Sequence, residues 1–293
     1  MTSISWQSSL GSAKFRNDMI LAVACSDGSV QLMKINYAGP QMSMLMEKKI
    51  KAHSCGAVLC IKWDHDGLSF ATSGEDGEVK IWSRTGHLRT RLCCFNTPTY
   101  GIAWGPNNDK LLSSHDSVLS IHETQGQDKT EQWDTCLQSQ GDNGVVLAVD
   151  WNRINNLIIC GGEDRKYKIY NVQGLCLYAS CPQTQVITSL SWSPNGELFA
   201  FGSFNMLGLC SQKGWIHSQE NINVGSITGI SWALDNTNVF AGSGDGSLII
   251  AHVVEKTEEW CGFSANLVGT NQLVVSNCIQ SSDQCSEYID IPR

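Results

Sequence analysis

The chain has 293 residues, 42% hydrophobic and only 16% charged, with 27 Gly against 6 Pro. That balance fits a β-rich globular protein with a sizeable core and excludes a disordered chain. The formal net charge is −8 and the 20 Lys and Arg are scattered, which argues against a nucleic-acid binder, since such a protein needs a basic face to neutralise phosphates.

The 13 Cys are odd in number and irregular in spacing, and Cys25, Cys60 and Cys160 sit inside apolar runs. There they read as small hydrophobes rather than disulfide partners. The N-terminus has no signal-peptide pattern. No apolar run approaches the roughly 20 residues needed to cross a bilayer. A reduced, cytosolic-type compartment is expected.

In chain order, the first apolar run is "TSISW", ending at Trp6. A long insert over 33–51 follows, with Met33, Met42, Met44 and Met46 and then Lys48, Lys49 and Lys51. The lysines read as a solvated loop, with a phosphate or acidic-partner site as the alternative. Then "VLCIKW" ends at Trp63, "YGIAW" at Trp104, "VLAVDW" at Trp151, "ITSLSW" at Trp192 and "ITGISW" at Trp232. The steps between these five Trp are 41, 47, 41 and 40 residues, with 57 between Trp6 and Trp63. After a Trp comes a turn such as "DHDG", "GPNND", "SPNG" or "ALDN", built from residues that tolerate tight-turn dihedrals. A second apolar run follows, then a second turn, as in "EDGE" at 75–78 and "GDGS" at 244–247; "EDRK" at 163–166 keeps the Asp without the Gly. Third runs such as "VKIWS" and "YKIYN" and weaker fourth runs such as "HLRTRLC" complete each copy. Four short strands repeated at about 40 residues are the signature of a propeller blade. One such sheet cannot bury both faces alone, so copies must stack. The predicted fold is an all-β β-propeller over 1–260, with six recognisable blades of a seven-bladed ring. Residues 261–293 are expected to be a divergent, poorly ordered tail.

Residues 52–93 resemble a WD repeat. His53 precedes the inner strand, Asp76 lies in the turn between second and third strands, and Trp82 ends the third strand. In that family such residues join a strand hydroxyl, here Ser73 with Thr72 as the alternative, in a hydrogen-bonded structural tetrad. A partly buried Asp and His require such partners. Other copies are degenerate: Tyr170, Cys210 and His252 replace the Trp, while Asp116, Asp164 and Asp245 keep the turn Asp.

A catalytic Ser-His-Asp reading finds no nucleophile elbow and falls where a WD repeat uses these residues structurally. The seven His show no metal-ligand spacing, there is no C-x-x-C, and no phosphate-binding Gly-Lys-Ser/Thr occurs. No enzyme activity, cofactor, metal, nucleic acid or small-molecule substrate is expected.

Several stretches carry more specific wording: "AHSCGAVLCIKWDHDG", "GEDGEVKIWSRTGHLR", "VDWNRINNLIICGGEDRKYKIYN", "SWSPNGELFAFGSFNMLGLCSQKGW" and "GSITGISW…AHVVEKTEEW". From about residue 3 to Trp260 they resemble the first propeller of a WD-repeat subunit of the intraflagellar transport complex B. The resemblance implies a non-enzymatic scaffold that binds other complex B subunits in the cilium or flagellum, the basal body and the cytoplasm. The family has one more blade upstream and a second propeller downstream, so the resemblance implies a truncated form, incomplete at its N-terminus. The alternative is a WD-repeat adaptor in another assembly, such as a vesicle coat, a ubiquitin-ligase receptor or a chromatin factor. The expected partner-contact residues are Met42, Met44 and Met46 in the long insert and Trp133 in the loop 124–143.

Overall fold

The computed structural model describes residues 2–7, 19–38, 41–124, 133–140, 144–253, 257–260, 263–268, 272–277 and 286–290. The described elements are all strands, and the chain divides into two compact units, Met1–Ile250 and Ala251–Arg293.

In the first unit the repeats become sheets in chain order. β1 (Ser3–Trp6), β2 (Met19–Ala24), β3 (Ser29–Ala38) and β4 (Gln41–Lys51) form the first. β5 (Val58–Trp63), β6 (Ser69–Gly74), β7 (Glu78–Ser83) and β8 (Leu88–Cys94) form the second. β9 (Thr99–Trp104), β10 (Lys110–His115), β11 (Val118–Thr124) and β12 (Trp133–Gln140) form the third. β13 (Val146–Trp151), β14 (Ile158–Gly162), β15 (Tyr167–Tyr170) and β16 (Cys176–Ala179) form the fourth. The fifth joins β17 (Ser189–Trp192), β18 (Leu198–Ser211), β19 (Ile216–Trp232), β20 (Asn238–Ser243) and β21 (Leu248–His252). All the strand pairings among the described residues are antiparallel.

Six separate sheets are expected from the sequence for these repeats, and five are present. The reason lies in β19. Its first part pairs with β18, from Ile216 to Ser226, and its last part pairs with β20, from Ile227 to Trp232. The outer strand of one repeat and the inner strand of the next thus run on as one. β18 itself folds back at Asn205, which holds φ of 56°. A Cβ on Gly208 would lie 2.1 Å from the Phe201 ring. Residues seven apart on a straight strand would be ~23 Å apart, so the two halves of β18 form a hairpin.

Each of the six repeat Trp ends a first strand, β1, β5, β9, β13, β17 or β19. First strands of successive sheets are neighbours, and the Trp backbone or indole ties them together. Trp63 N donates to Ser5 Oγ at 3.1 Å, Trp104 Nε1 to the Lys62 carbonyl at 3.0 Å, Trp192 N to Asp150 Oδ2 at 2.7 Å and Trp232 Nε1 to the Ser191 carbonyl at 3.0 Å. The turn after the Trp needs a left-handed residue, supplied by Gly67, Asn108, Asn156, Gly196 and Asn236, with φ between 58° and 76°.

The core lies between sheets. Ile61, Phe70, Trp63 and Trp82 pack with Ala22, Val30 and Leu32 of the first sheet, and Ile159, Tyr167 and Ile169 pack with Phe199 and Phe201 of the fifth. Burying one such side chain contributes about 1.5–3 kcal/mol. Sheet stacking also constrains glycines ten residues after a repeat Trp. A Cβ on Gly161 would meet Ile187 at 2.8 Å, and one on Gly202 would meet Ile227 at 2.7 Å, each residue lying just before or in the next first strand. At the equivalent Gly242, no described atom lies within 4 Å.

The second unit carries β22 (Thr257–Trp260), β23 (Phe263–Val268), β24 (Gln272–Asn277) and β25 (Ser286–Asp290) in one four-stranded antiparallel sheet. Residues 261–293 are expected from the sequence as a divergent tail; of these, 263–268, 272–277 and 286–290 are described, and they are strands. Phe263, Ala265 and Leu267 alternate with Ser264 and Asn266, and the apolar run Leu273–Val275 pairs with them despite the polar surroundings.

Candidate protein-binding surface and the buried polar network

The polar residues of the second sheet form a closed network. Asp76 sits in the tight turn closed by Gly77 at φ 73°. Its Oδ1 accepts from the Glu78 backbone N–H at 3.1 Å and lies 2.7 Å from His53 Nδ1. The other imidazole nitrogen, Nε2, is 3.0 Å from Thr72 Oγ1, and Trp82 Nε1 donates to the same hydroxyl at 2.9 Å. His53 and Thr72 are both 0% exposed. Burial holds the His53 pKa below its ordinary value, outweighing the opposing pull of Asp76.

The hydroxyl in this network is that of Thr72, which corrects the choice of Ser73. The register explains it. Thr72 pairs with Lys80 and Phe70 with Trp82, so these four share one face of the sheet, whereas Ser73 pairs with Val79 on the other. Ser73 Oγ is buried without a partner among the described residues. Enclosure makes the network a clamp on the blade: a hydroxyl with no exposed surface offers no nucleophile to a substrate. His53, Asp76 and Glu78 also bring ligand-type atoms within 4.8 Å of one another. The buried Lys80 ammonium already supplies positive charge there, pairing with Glu78 and donating to the Ala52 carbonyl at 2.7 Å.

Elsewhere the network is rebuilt from other residues. In the third sheet His122 Nε2 lies 3.0 Å from Ser113 Oγ and 3.8 Å from Cys93 Sγ. In the fourth, buried Lys168 pairs with Asp164 at 2.8 Å. The sequence reading missed His122, though its place in a third strand was a usable signal. It also missed side-chain links between Trp turns: Asn108 Oδ1 accepts from His65 N at 2.9 Å, Asn155 Nδ2 donates to the Gly196 carbonyl at 2.7 Å, and Asn236 Oδ1 accepts from Asn195 N at 3.0 Å.

The insert expected as a loop is a hairpin of β3 and β4 instead, and Lys48, Lys49 and Lys51 lie on β4 rather than in a solvated loop. Strands of ten and eleven residues allow it to pair along its whole length, from Ser29↔Lys51 to Ala38↔Gln41. Met44 is 45% exposed, and Leu45 and Met46 are 58% exposed. Met33 is half-buried opposite Met46. Likewise the expected loop 124–143 contains β12, which begins at Trp133. The side chains of Met42 and Trp133 lie outside the described residues. His53, Ser73, Asp76 and Trp82 therefore gather around one sheet, while Met44 and Met46 lie apart on the outer strand of another.

Stacked antiparallel sheets, first strands side by side and a Trp at each first-strand end define a WD-repeat β-propeller, and the chain belongs to that class. The WD domain, G-beta repeat model matches residues 46–83 and 134–171. Each match takes the outer strand of one sheet and three strands of the next. Within the class, the chain is related to the intraflagellar transport protein 80 homologs of mouse and rat, at 42% identity over 84% of this chain. The chain spans 31% of the length of those relatives. Protein HIR1 of Cryptococcus neoformans is 24% identical over 55% of this chain and 21% of its own length. Among solved structures, a chain of a mitotic checkpoint complex matches with a TM-score of 0.67 at 17% identity, covering 80% of this chain and 74% of that one.

Proposed function

We propose that this chain is a non-enzymatic scaffold subunit of the intraflagellar transport complex B, acting in the cilium or flagellum, at the basal body and in the cytoplasm by binding other complex B subunits. The observation that carries this reading is the 42% identity to intraflagellar transport protein 80 homologs across 84% of the chain. The all-β architecture supports a binding role, because propellers present loops and strand edges around a rigid core. In this reading the repeats are six blades of a seven-bladed ring.

The contact surface in this reading is the β3–β4 hairpin, with Met42, Met44 and Met46, and the region of Trp133. Affinity purification of the tagged chain from ciliated cells, with mass spectrometry, tests the role. Complex B subunits are the expected co-purifying proteins; a WD-repeat adaptor elsewhere would bring down other assemblies and overturn the reading. Substituting Met44 and Met46 by Ala should weaken that capture while leaving the thermal midpoint unchanged.

A further inference from the structure

Among the described residues, β4 is the outermost strand of its sheet, bonded on one side only, to β3. An edge strand presents a row of free N–H and C=O groups that pairs with any extended chain unless it is guarded. Guards are short length, proline, or charged side chains that project from the edge. β4 has none of these over its first half. It runs for eleven residues, "QMSMLMEKKIK", with no proline. The outer strands β8 and β16 have seven and four residues. From Ser43 to Glu47 every side chain is exposed on both faces.

The lysines that could guard this edge are tied back to the chain itself. Lys48 Nζ donates to the Thr85 carbonyl at 3.0 Å and the Gly86 carbonyl at 3.3 Å. Lys49 pairs with Asp27 at 3.0 Å, and Lys51 Nζ donates to the Asp27 carbonyl. Lys49 is paired with a carboxylate, whereas Lys48 and Lys51 donate to neutral backbone carbonyls. The edge is therefore apolar at one end, over Met44, Leu45 and Met46, and positive at the other.

We propose that β4 takes up an extended segment of a partner protein as an added antiparallel strand, the segment being acidic in its N-terminal half and alternately apolar in its C-terminal half. Antiparallel pairing sets the acidic half against Lys48–Lys51 and the apolar half against Met44–Met46. The inference rests on the hairpin as contact surface and does not depend on the transport role.

The probe is a synthetic peptide as long as β4, with Glu residues leading an alternating Val/Thr run. Its binding to the full chain is measured by fluorescence anisotropy, and the amides it protects by hydrogen exchange. The expected result is saturable binding with protection confined to β4. N-methylation of alternate peptide backbone nitrogens, which keeps every side chain, should weaken binding by at least about tenfold. Reversing the peptide so that its acids trail should also weaken it, as should Leu45→Lys in the protein. No binding, or binding that survives N-methylation, would overturn strand addition. Protection centred on an outer strand other than β4 would overturn the placement. Because complex B capture is scored separately, its failure leaves this result readable.

Discussion

Thr72 and Ser73 are adjacent hydroxyls with opposite fates, and the difference is measurable. Thr72→Val keeps the shape but leaves the Trp82 indole N–H and the facing imidazole nitrogen without their shared partner, a loss of about 1–3 kcal/mol for a stranded buried donor. Ser73→Ala removes a hydroxyl that has no partner among the described residues, so stability should stay within about 0.5 kcal/mol of the parent. Urea unfolding of both variants checks the contrast; equal losses would show that Thr72 is not the bridging group. Arg165 offers a gain instead. It is exposed, yet holds φ of 61° in the turn where the second sheet has Gly77 at 73°. Arg165→Gly should stabilise by about 0.5–1 kcal/mol, the left-handed penalty less the added freedom of the unfolded chain. A raised urea midpoint is the expected reading. The sequence displayed the Asp-Gly turn and its Gly-less copy plainly. It did not display which of two neighbouring hydroxyls pointed inward, because that depends on strand register rather than on residue type.

Sheet stacking makes its own forecast. Gly161 and Gly202 are pressed by Ile187 and Ile227, whereas Gly242 meets no described atom. Val at either of the first two positions should cost about 1–3 kcal/mol through overpacking, and Gly242→Val should cost clearly less in the same thermal melts. If all three cost alike, the Gly242 face is covered after all. The repeat Trp, the turns that follow them and most strand positions were legible in the sequence, because each repeats at nearly constant spacing and obeys local chemistry. Three elements were not. The β3–β4 insert looked like a loop because its length broke the repeat. β19 concealed a boundary, since "IHSQENINVGSITGISW" has no Pro, and its only Gly residues, Gly225 and Gly229, lie within the strand. The strands of 263–290 lacked the repeat wording and show only short alternations that many polar segments share.

Across the whole first unit, four imidazoles are built in as neutral groups. Burial lowers the pKa of His53, His65, His115 and His122, the last to about 4 with a further push from His115. Unfolded, each would take a proton near pH ~6.5. Between the two values the unfolded chain binds more protons, so stability is full above the unfolded value and is lost as pH falls towards the folded ones. Asp64 works the other way, its pKa raised chiefly by burial, and offsets part of the loss at the acid end. Denaturant midpoints should therefore fall steadily from pH 7 to pH 5, and His122→Gln should flatten the slope; an unchanged slope would remove His122 from the account. The joined strand β19 carries a last consequence, concerning force. A pull applied at the C-terminal side of the first unit would draw out β21 and β20, and the tension would then pass along β19 straight into its pairing with β18. No slack linker lies between these two repeats to absorb it. In an optical-tweezers trace they should rip together as one long step, whereas repeats joined by separate turns can yield one at a time.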